Sequence, residues 1–338
     1  MSVGLDIGSK TIKIVELGRE KEKFRLISSG IIGYKGKPPE EVKEDKDLVL
    51  LAESIKKLHK EAKISSKDVV LSLPETQVYS RIVKFPLLTD SEIASAVKWE
   101  AEQYIPIPLD DAIIRHQIIE RREDKTPPEA LVLLMAVPKD LVESYVKVCH
   151  DAGLSPIALE TDLIALSRSL APDDTTCVLV DFGSKATNIA ITKDKTLRFS
   201  RSISTDGDAF TRAVSQYLGI ELRQAEEYKK AYGMSSQRLE GRIKKALDPV
   251  LHLISDEIRK AMHFYQTDEG GESPTSVILS GGTSGMPNLV SVMTSILGLE
   301  VIVGNPFYNV LIDSEILSST KNYAPFYSVA VGLAMREN

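Results

Sequence analysis

The pattern Asp-x-Gly-Ser-Lys occurs twice in this chain, at Asp6–Lys10 and again at Asp181–Lys185. Each copy lies between two apolar segments. A carboxylate at the end of a strand can reach the water shell of a magnesium ion, which takes few direct protein ligands. A glycine in the turn lets the backbone present amide groups to phosphate oxygens. The duplication therefore predicts two halves that face each other across a cleft for a nucleoside triphosphate and its magnesium ion.

Asp6 and Asp181 are the predicted metal-binding carboxylates of this cleft. A single copy of the turn would more simply be an acidic hairpin, so the prediction depends on the duplication. Lys13 lies on the strand that returns from the first turn, where strand alternation directs it to the same face as Thr11. Lys185, in the second turn, could contact a phosphate or face the solvent.

A third glycine-containing turn follows a short apolar strand at Ser276–Leu279. It contains Gly281, Gly282 and Thr283, and we predict that a helix opens at Met286-Pro287, since proline is favoured near a helix start. Amides at such a start could bind an anion; the alternative is an ordinary strand–helix loop.

A predicted helix at Glu221–Tyr232 carries Glu226 and Lys229 on one face, because residues three apart are neighbours on a helix. A solvated ion pair is the alternative interpretation of these two side chains.

The elements around the two turns follow the same order. In the first half the pattern predicts strands at Val3–Ile7, Ile12–Leu17 and Phe24–Tyr34, a helix at Leu48–Ala62 and a strand at Val69–Leu73. In the second half it predicts strands at Cys177–Asp181, Thr187–Thr192 and Leu197–Ile203, with helices from Asp208 onward. A β-β-β-α-β unit that occurs twice predicts an α/β protein with a duplicated ribonuclease H-like fold.

Residues from about Phe85 to Ser155 have no counterpart in the second half and are predicted to form an inserted subdomain. Its first helix is marked by a capping box that starts at Thr89, and it stops before Pro106 because proline disfavours helix at the preceding residue. The remaining predicted elements are strands at Ile113–Glu120 and Leu131–Val137 and a helix at Asp140–Ala152.

Length and composition set further bounds. The 338 residues, 43% of them hydrophobic, suffice for two domains. A net charge of −6 without a long basic run argues against a nucleic-acid or anionic-membrane surface. The spacing of Cys149 and Cys177 fits neither a metal site nor a disulfide framework. With no secretory signal and no apolar run longer than Ala130–Val137, we predict a cytoplasmic protein that reaches a membrane only through a partner.

Together these motifs resemble the actin-like ATPase superfamily, and within it the PilM family of type IV pilus assembly proteins, which is related to FtsA. The phosphate motifs are matched by Asp6, Gly8, Ser9 and Lys13 in the first half and by Asp181, Gly183 and Thr187 in the second. The adenosine and connecting motifs are matched by Gly281, Gly282, Thr283, Ala225, Glu226, Lys229, Glu160, Ala330 and Gly332.

The resemblance implies ATP and Mg²⁺ as cofactors, with Glu226 and Lys229 near the ribose and adenine. It implies that Glu160 positions the water that attacks the nucleotide. It also implies an actin-like fold of two domains that flank the nucleotide cleft. We expect the first domain at 1–170, with the insert at about 85–155 and completion by a C-terminal helix at 325–338, and the second domain at 171–324.

Two features separate the related families. The segment Ser91–Leu109 resembles a PilM signature, and the chain stops directly after the second connecting motif, where FtsA normally continues into a tail and an amphipathic helix.

The second turn is poorer in glycine than in active relatives, and Asn188 stands where FtsA and heat-shock relatives tend to have Asp. These departures predict slow or no hydrolysis.

The resemblance favours an ATP-binding scaffold of type IV pilus assembly. Its predicted partners are the cytoplasmic tail of a PilN-like single-pass inner-membrane protein and components of the assembly motor. The tail would bind between the first half and the insert, near Trp99, Tyr104 and Ile105. The alternatives are an FtsA-like cell-division protein that self-associates into filaments and a small-molecule kinase, for which the cleft lacks an evident acid–base set.

Overall fold

The computed structural model describes residues 1–42, 45–313 and 323–337. Its strands, in chain order, are β1 (Ser2–Ile7), β2 (Thr11–Glu20), β3 (Lys23–Gly33), β4 (Asp68–Leu73), β5 (Tyr79–Pro86), β6 (Ala112–Arg122), β7 (Glu129–Pro138), β8 (Ser155–Thr161), β9 (Thr176–Phe182), β10 (Thr187–Lys193), β11 (Thr196–Ile203), β12 (Ser276–Gly281), β13 (Glu300–Val303) and β14 (Val310–Leu311). Its helices are α1 (Asp45–Glu61), α2 (Asp90–Tyr104), α3 (Lys139–Asp151), α4 (Asp162–Leu170), α5 (Gly207–Leu218), α6 (Leu222–Tyr232), α7 (Arg242–Thr267), α8 (Leu289–Leu297) and α9 (Ser328–Ala334). Among these described residues, no helix is both long and apolar enough to span a bilayer.

The first half is built on a six-stranded sheet in the order β14-β3-β2-β1-β4-β8. Strands β1 and β2 are antiparallel, and their register sets Asp6 opposite Lys13. Helices α1 and α3 cover one face of the sheet, because their apolar side chains recur at helical spacing and join the strand residues in one core.

The second half repeats this arrangement in a five-stranded sheet, β11-β10-β9-β12-β13. Strands β9 and β10 have the same antiparallel pairing as β1 and β2, with Asp181 opposite Asn188. Helix α7 provides nine buried residues to this half, and much of its core packs between α7 and the sheet. The prediction of a β-β-β unit that occurs twice is confirmed.

Helices α4 and α9 cross in close contact. A Cβ atom on Gly332 would overlap the carbonyl oxygen of Ala165, and one on Gly4 would overlap that of Ala330. Glycine at these positions therefore lets α9 pack against both α4 and β1. Residue 338 of the predicted C-terminal helix and residues 314–322 of the predicted second domain lie outside the described residues.

The insert forms a three-stranded antiparallel sheet, β5-β7-β6, which is covered by α2. The predicted capping box at Thr89 is present: its hydroxyl accepts a hydrogen bond from the Glu92 amide, and the Glu92 carboxylate accepts one from the Thr89 amide. The sheet begins at Tyr79 rather than Phe85, and α3 packs through Tyr145 and Val148 into the core of the first half. The domain limits themselves stay a prediction.

The helix after the third turn begins at Leu289, later than the predicted start at Met286-Pro287. Asn288 precedes it with a φ of 60°, a left-handed conformation that separates the turn from the helix. The amides of Gly281 to Thr283 therefore do not form a helix N-terminus.

Candidate nucleotide site

The two Asp-x-Gly-Ser-Lys turns meet between the halves. The hydroxyls of Ser9 and Ser184 hydrogen-bond to each other across this boundary. Asp6 and Asp181, near the ends of β1 and β9, lie close enough for their charges to interact. The structure thus brings together two motifs that are 175 residues apart in the chain.

In the first half, the carboxylate of Asp6 accepts a hydrogen bond from the Lys13 ammonium at 2.9 Å. Both side chains are largely buried. The Gly8 amide donates to the Thr11 carbonyl and closes the turn. A Cβ atom at position 8 would lie 3.0 Å from the Lys13 nitrogen, so glycine leaves room for the ammonium beside the carboxylate.

In the second half, burial raises the pKa of Asp181 to about 6. The nearby charge of Lys13 and a hydrogen bond from Ser280 lower that pKa, and Asp6 raises it, but burial prevails. Gly281 has a φ of +81°, and a Cβ atom there would lie 2.8 Å from Asp181 Oδ1. Only glycine fits this approach of the third turn to the carboxylate.

A third carboxylate, Asp162, belongs to this group and was missed by the motif comparison. It is the first residue of α4. Burial raises its pKa well above the ordinary value, and the charges of Asp6 and Asp181 raise it further, while a hydrogen bond from Ser72 lowers it. The sequence marks Asp162 only as the residue after a helix N-cap, Thr161, which carries no functional signal.

Glu160 is held elsewhere. Its carboxylate oxygens accept hydrogen bonds from Arg168 at 2.9 Å each, and Arg336 pairs with it as well. Arg168 also donates to the Gly332 carbonyl. Ion pairs therefore fix Glu160 to Arg168 on α4 and to Arg336 after α9. This geometry does not favour the predicted water-positioning role of Glu160, which stays a prediction.

Three of the predicted residues of the second half, Gly183, Lys229 and Thr283, meet at Gly207, the first residue of α5. The Gly207 amide donates to the Gly183 carbonyl at 3.0 Å, and its own carbonyl accepts from the Lys229 ammonium at 3.0 Å. A Cβ atom on Gly207 would lie 2.9 Å from the Thr283 hydroxyl. Three motifs that are distant in sequence are thus neighbours, although Gly207 itself was not predicted.

Glu226 pairs with Lys229 at 2.6 Å. Burial alone would raise the pKa of Glu226, but hydrogen bonds from Lys229 and Thr211 outweigh it and lower the value to about 2. Burial lowers the pKa of Lys229 more than Glu226 raises it. The alternative of a solvated ion pair is wrong for Lys229, whose side chain is buried.

Two further predicted residues differ in exposure, since Thr187 is buried and Gly282 is exposed. Thr187 is fully buried, and its hydroxyl donates to the Thr205 carbonyl at 2.6 Å. A Cβ atom on Gly282 would lie 3.1 Å from the ring of Phe326. Thr187 therefore supports the second turn from within, and Gly282 lies against the segment that leads into α9.

The cleft between the halves is rich in carboxylates. Those of Asp6, Asp162 and Asp181 interact with one another, and the Lys13 ammonium interacts with Asp6 and Asp181. Within residues 1–42, 45–313 and 323–337, no group of three or more His, Cys, Asp or Glu side chains is placed to hold a metal ion. A magnesium ion bound here would take most of its ligands from water and phosphate.

A family model described as "Type IV pilus assembly protein PilM" matches residues 4–338. The chain belongs to the PilM family. A solved chain described as "PilM-PilN type IV pilus biogenesis complex" is 27% identical to it, with a TM-score of 0.83 over 99% of this chain and 98% of that one.

More distant relatives agree with this assignment. The cell division protein FtsA of Enterococcus hirae is 23% identical, over 89% of this chain and 77% of its own length. MreB5 of Spiroplasma citri, solved with bound ADP, superposes with a TM-score of 0.55 at 13% identity, over 98% of this chain and 94% of the MreB5 chain. This PilM family member therefore has the actin-like ATPase fold that its motifs predict.

Two cavities border the insert of this PilM family member. The larger, about 1140 Å³, has walls from Leu159 on β8, Gln117 and Met135 in the insert and Ile302 in the second half. The smaller, about 330 Å³, is lined by Tyr104 and Ile105, by Glu75 and Thr76 of the first half and by β11 residues such as Ser200. Its position agrees with the predicted tail groove between the first half and the insert, although Trp99 lines neither cavity. Tail binding there stays a prediction.

Proposed function

We propose that this PilM family protein binds Mg-ATP between its two halves and acts as a scaffold in type IV pilus assembly. The observation that carries the proposal is the meeting of the duplicated turns, which sets Asp6 and Asp181 beside one ammonium group, that of Lys13. An arrangement with this excess of negative charge is unfavourable when buried, and a bound cation would compensate it.

Each residue type has a definite task in this proposal. Asp6, Asp162 and Asp181 hold the water shell of Mg²⁺, and Lys13 contacts phosphate oxygens. The bound ion neutralises phosphate charge. Ser9 donates to a phosphate oxygen, and Gly8 and Gly183 shape the two turns around the phosphates. The nucleoside is bound by residues near Gly207 and in the third turn, namely Glu226, Lys229, Gly281 and Thr283.

Slow or absent hydrolysis accompanies this site in the proposal. A carboxylate that activates water must be free to accept a proton. Glu160, the predicted water-positioning residue, is engaged by two arginines. Together with the glycine-poor second turn and Asn188, this leads us to expect turnover below the usual enzyme range of about 1–10³ s⁻¹.

The partner in this proposal is the cytoplasmic tail of a PilN-like inner-membrane protein, which would hold the scaffold at the inner face of the membrane beside the assembly motor. The name of the PilM–PilN complex supports a PilN-like partner. The larger cavity suits an extended tail, because β8 lies at one end of the described six-stranded sheet. A peptide beside an edge strand gains main-chain hydrogen bonds, and pockets select its side chains.

Thermal unfolding tests the nucleotide proposal. A ligand that binds only the native state stabilises it by about 2.7 kcal/mol at a hundredfold excess over Kd. Mg-ATP should therefore raise the Tm of nucleotide-free protein by several degrees, and Asp181→Asn should abolish the shift. No shift at millimolar Mg-ATP would contradict the proposal.

Peptide binding tests the tail proposal. Gln117→Trp places a large ring in the larger cavity from an exposed position on β6. His116→Trp is the matched control, since His116 is the exposed neighbour on the same strand and does not line the cavity. We expect the first variant to lose a synthetic PilN-like tail and the second to keep it, with Mg-ATP binding unchanged in both. Equal tail binding by both variants would place the tail elsewhere.

A further inference from the structure

The described walls of the larger cavity carry more basic than acidic side chains, although the chain as a whole has a net charge of −6. Every acid of these walls already has a basic partner: Asp173 pairs with Lys195, Glu337 with Arg19, and Glu160 with Arg168 and Arg336. The positive charge that is left over would attract an anionic group of a ligand in this cavity.

Two guanidinium groups converge on the buried carboxylate of Glu160. Arg168 donates to both of its oxygens at 2.9 Å each, and Arg336, which follows α9, donates to one of them. A guanidinium group has five N–H donors, and the bond to Glu160 is the one side-chain hydrogen bond of Arg336 among the described residues. The Arg336 side chain is 36% exposed and lines the cavity. It therefore keeps donors for a second carboxylate.

A further guanidinium group of these walls comes from the insert. Arg115 on β6 donates to the backbone carbonyl of Ile114 and forms no ion pair with any described residue. It lies on the same face of β6 as Gln117, because residues two apart on a strand share a face, and both line the cavity. The insert thus adds an exposed positive charge to the one that Arg336 and Arg168 share with Glu160.

We propose that the larger cavity selects the tail through an acidic side chain, whose carboxylate binds Arg336 and is attracted by Arg115. This inference rests on the proposed tail site in that cavity and names the chemistry that the site recognises. Apolar wall residues, such as Met135 and Ile302, contact the neighbouring side chains of the tail. Successive side chains of an extended peptide point to opposite sides, so the acidic residue and its neighbours can face different walls.

The geometry favours a carboxylate over a neutral group. The planar guanidinium fork of Arg336 can donate two parallel hydrogen bonds to a carboxylate, and such charge-assisted bonds are the stronger kind. Glu160 already orients this side chain, so less freedom is lost when the tail binds. Hydrogen bonds to charged groups correspond to a factor of about tenfold to a hundredfold in affinity. Arg115 is exposed, and its contribution should be about twofold to fivefold.

The experiment is a titration of the full-length protein with a synthetic PilN-like tail and with copies in which each acidic residue in turn is replaced by its amide. One such replacement should weaken binding at least tenfold. Arg336→Met should weaken binding of the unmodified tail by a similar factor, and Arg115→Met by about twofold to fivefold. In Arg336→Met the critical replacement should lose most of its effect, because its carboxylate has no guanidinium left to bind.

Arg259→Met is the matched control. Arg259 lies on α7, pairs with Asp256 and is 46% exposed, and it lines neither cavity. This variant removes the same charge from the protein without touching the proposed site, so it should bind the tail as tightly as the wild type. Thermal unfolding of each variant, with and without Mg-ATP, shows that the fold and the nucleotide site are retained.

The outcomes separate this inference from the proposed function. A tail that fails to bind, or that binds wild-type protein and Gln117→Trp equally, would contradict both. A tail that Gln117→Trp loses, but that keeps its affinity for wild-type protein after every acidic replacement, would overturn this inference alone. Equal losses in Arg336→Met and Arg259→Met, or a critical replacement that acts equally with and without Arg336, would overturn it as well.

Discussion

The two copies of the turn connect antiparallel strands in the same way, but the residue opposite the aspartate is charged in only one of them. In the first half, Asp6 lies opposite Lys13 across the antiparallel pair and is bonded to it at 2.9 Å. In the second half, the residue opposite Asp181 is Asn188, which occupies the position that corresponds to Lys13. The Asn188 side-chain oxygen accepts a hydrogen bond from Ser202 instead.

This difference concentrates the positive charge in one half. Lys13 lowers the pKa of Asp181 from across the cleft, yet burial still raises that value to about 6. One ammonium therefore serves the carboxylates of both halves. A duplicated fold can thus keep its turn geometry while only one copy supplies the cation, provided that the copies stay in contact.

Replacing Lys13, the cation that both halves share, should have the largest effect on the free energy of unfolding. Lys13→Met removes the ammonium from beside Asp6 and Asp181, and loss of one partner from a largely buried pair typically costs about 3 kcal/mol. We expect a loss of this size in urea unfolding at pH 7 and a smaller loss at pH 5, where Asp181, whose pKa is raised to about 6, takes up a proton. Lys13→Arg, which keeps the charge, should lose less. Equal losses at both pH values would show that packing rather than charge is responsible.

An Asp→Asn substitution should raise stability in one turn and lower it in the other. Asp181→Asn removes a buried carboxylate whose pKa is raised from 3.8 to about 6, so at pH 7 the protein without nucleotide should gain about 3 kcal/mol. As pH falls from 6 towards 3.8, the wild-type folded state takes up the proton and loses this cost, and the gain should disappear. Asp6→Asn should instead destabilise the protein, because Lys13 loses its partner. Changes of the same sign in both variants would contradict the comparison.

Giving the second half its own cation should have the smallest effect on stability. Asn188→Lys places an ammonium opposite Asp181 but breaks the hydrogen bond with Ser202, so stability should stay within about 1 kcal/mol of the wild type. The pKa of Asp181, followed by NMR titration of its carboxyl carbon, should fall below 6. Asn188→Met loses the same hydrogen bond without adding charge and should not lower this pKa. An unchanged pKa in Asn188→Lys would mean that register alone does not bring the two side chains together.

The sequence by itself determined the features that depend on local chemistry. Strand alternation and the repeated turn located β1, β2, β9 and β10, and the Thr89 capping box located the start of α2. These predictions succeeded because side-chain period and turn residues act over a few positions of the chain. The duplicated ribonuclease H-like fold followed from the repeated unit, and the actin-like fold followed from the resemblance of the motifs to a known superfamily.

The tertiary structure decided which side chains occupy the cleft. Glu160 and Asp162 are two residues apart and both acidic, yet Glu160 is tied to Arg168 and Arg336 while Asp162 interacts with Asp6 and Asp181. Only packing settles such a choice, because Arg336 beside Glu160 and Asp6 beside Asp162 come from segments more than a hundred residues distant in the chain. The same holds for the ion pairs between the halves, Lys10 with Asp208 and Lys185 with Glu41, since neither lysine carries a local signal that names its partner.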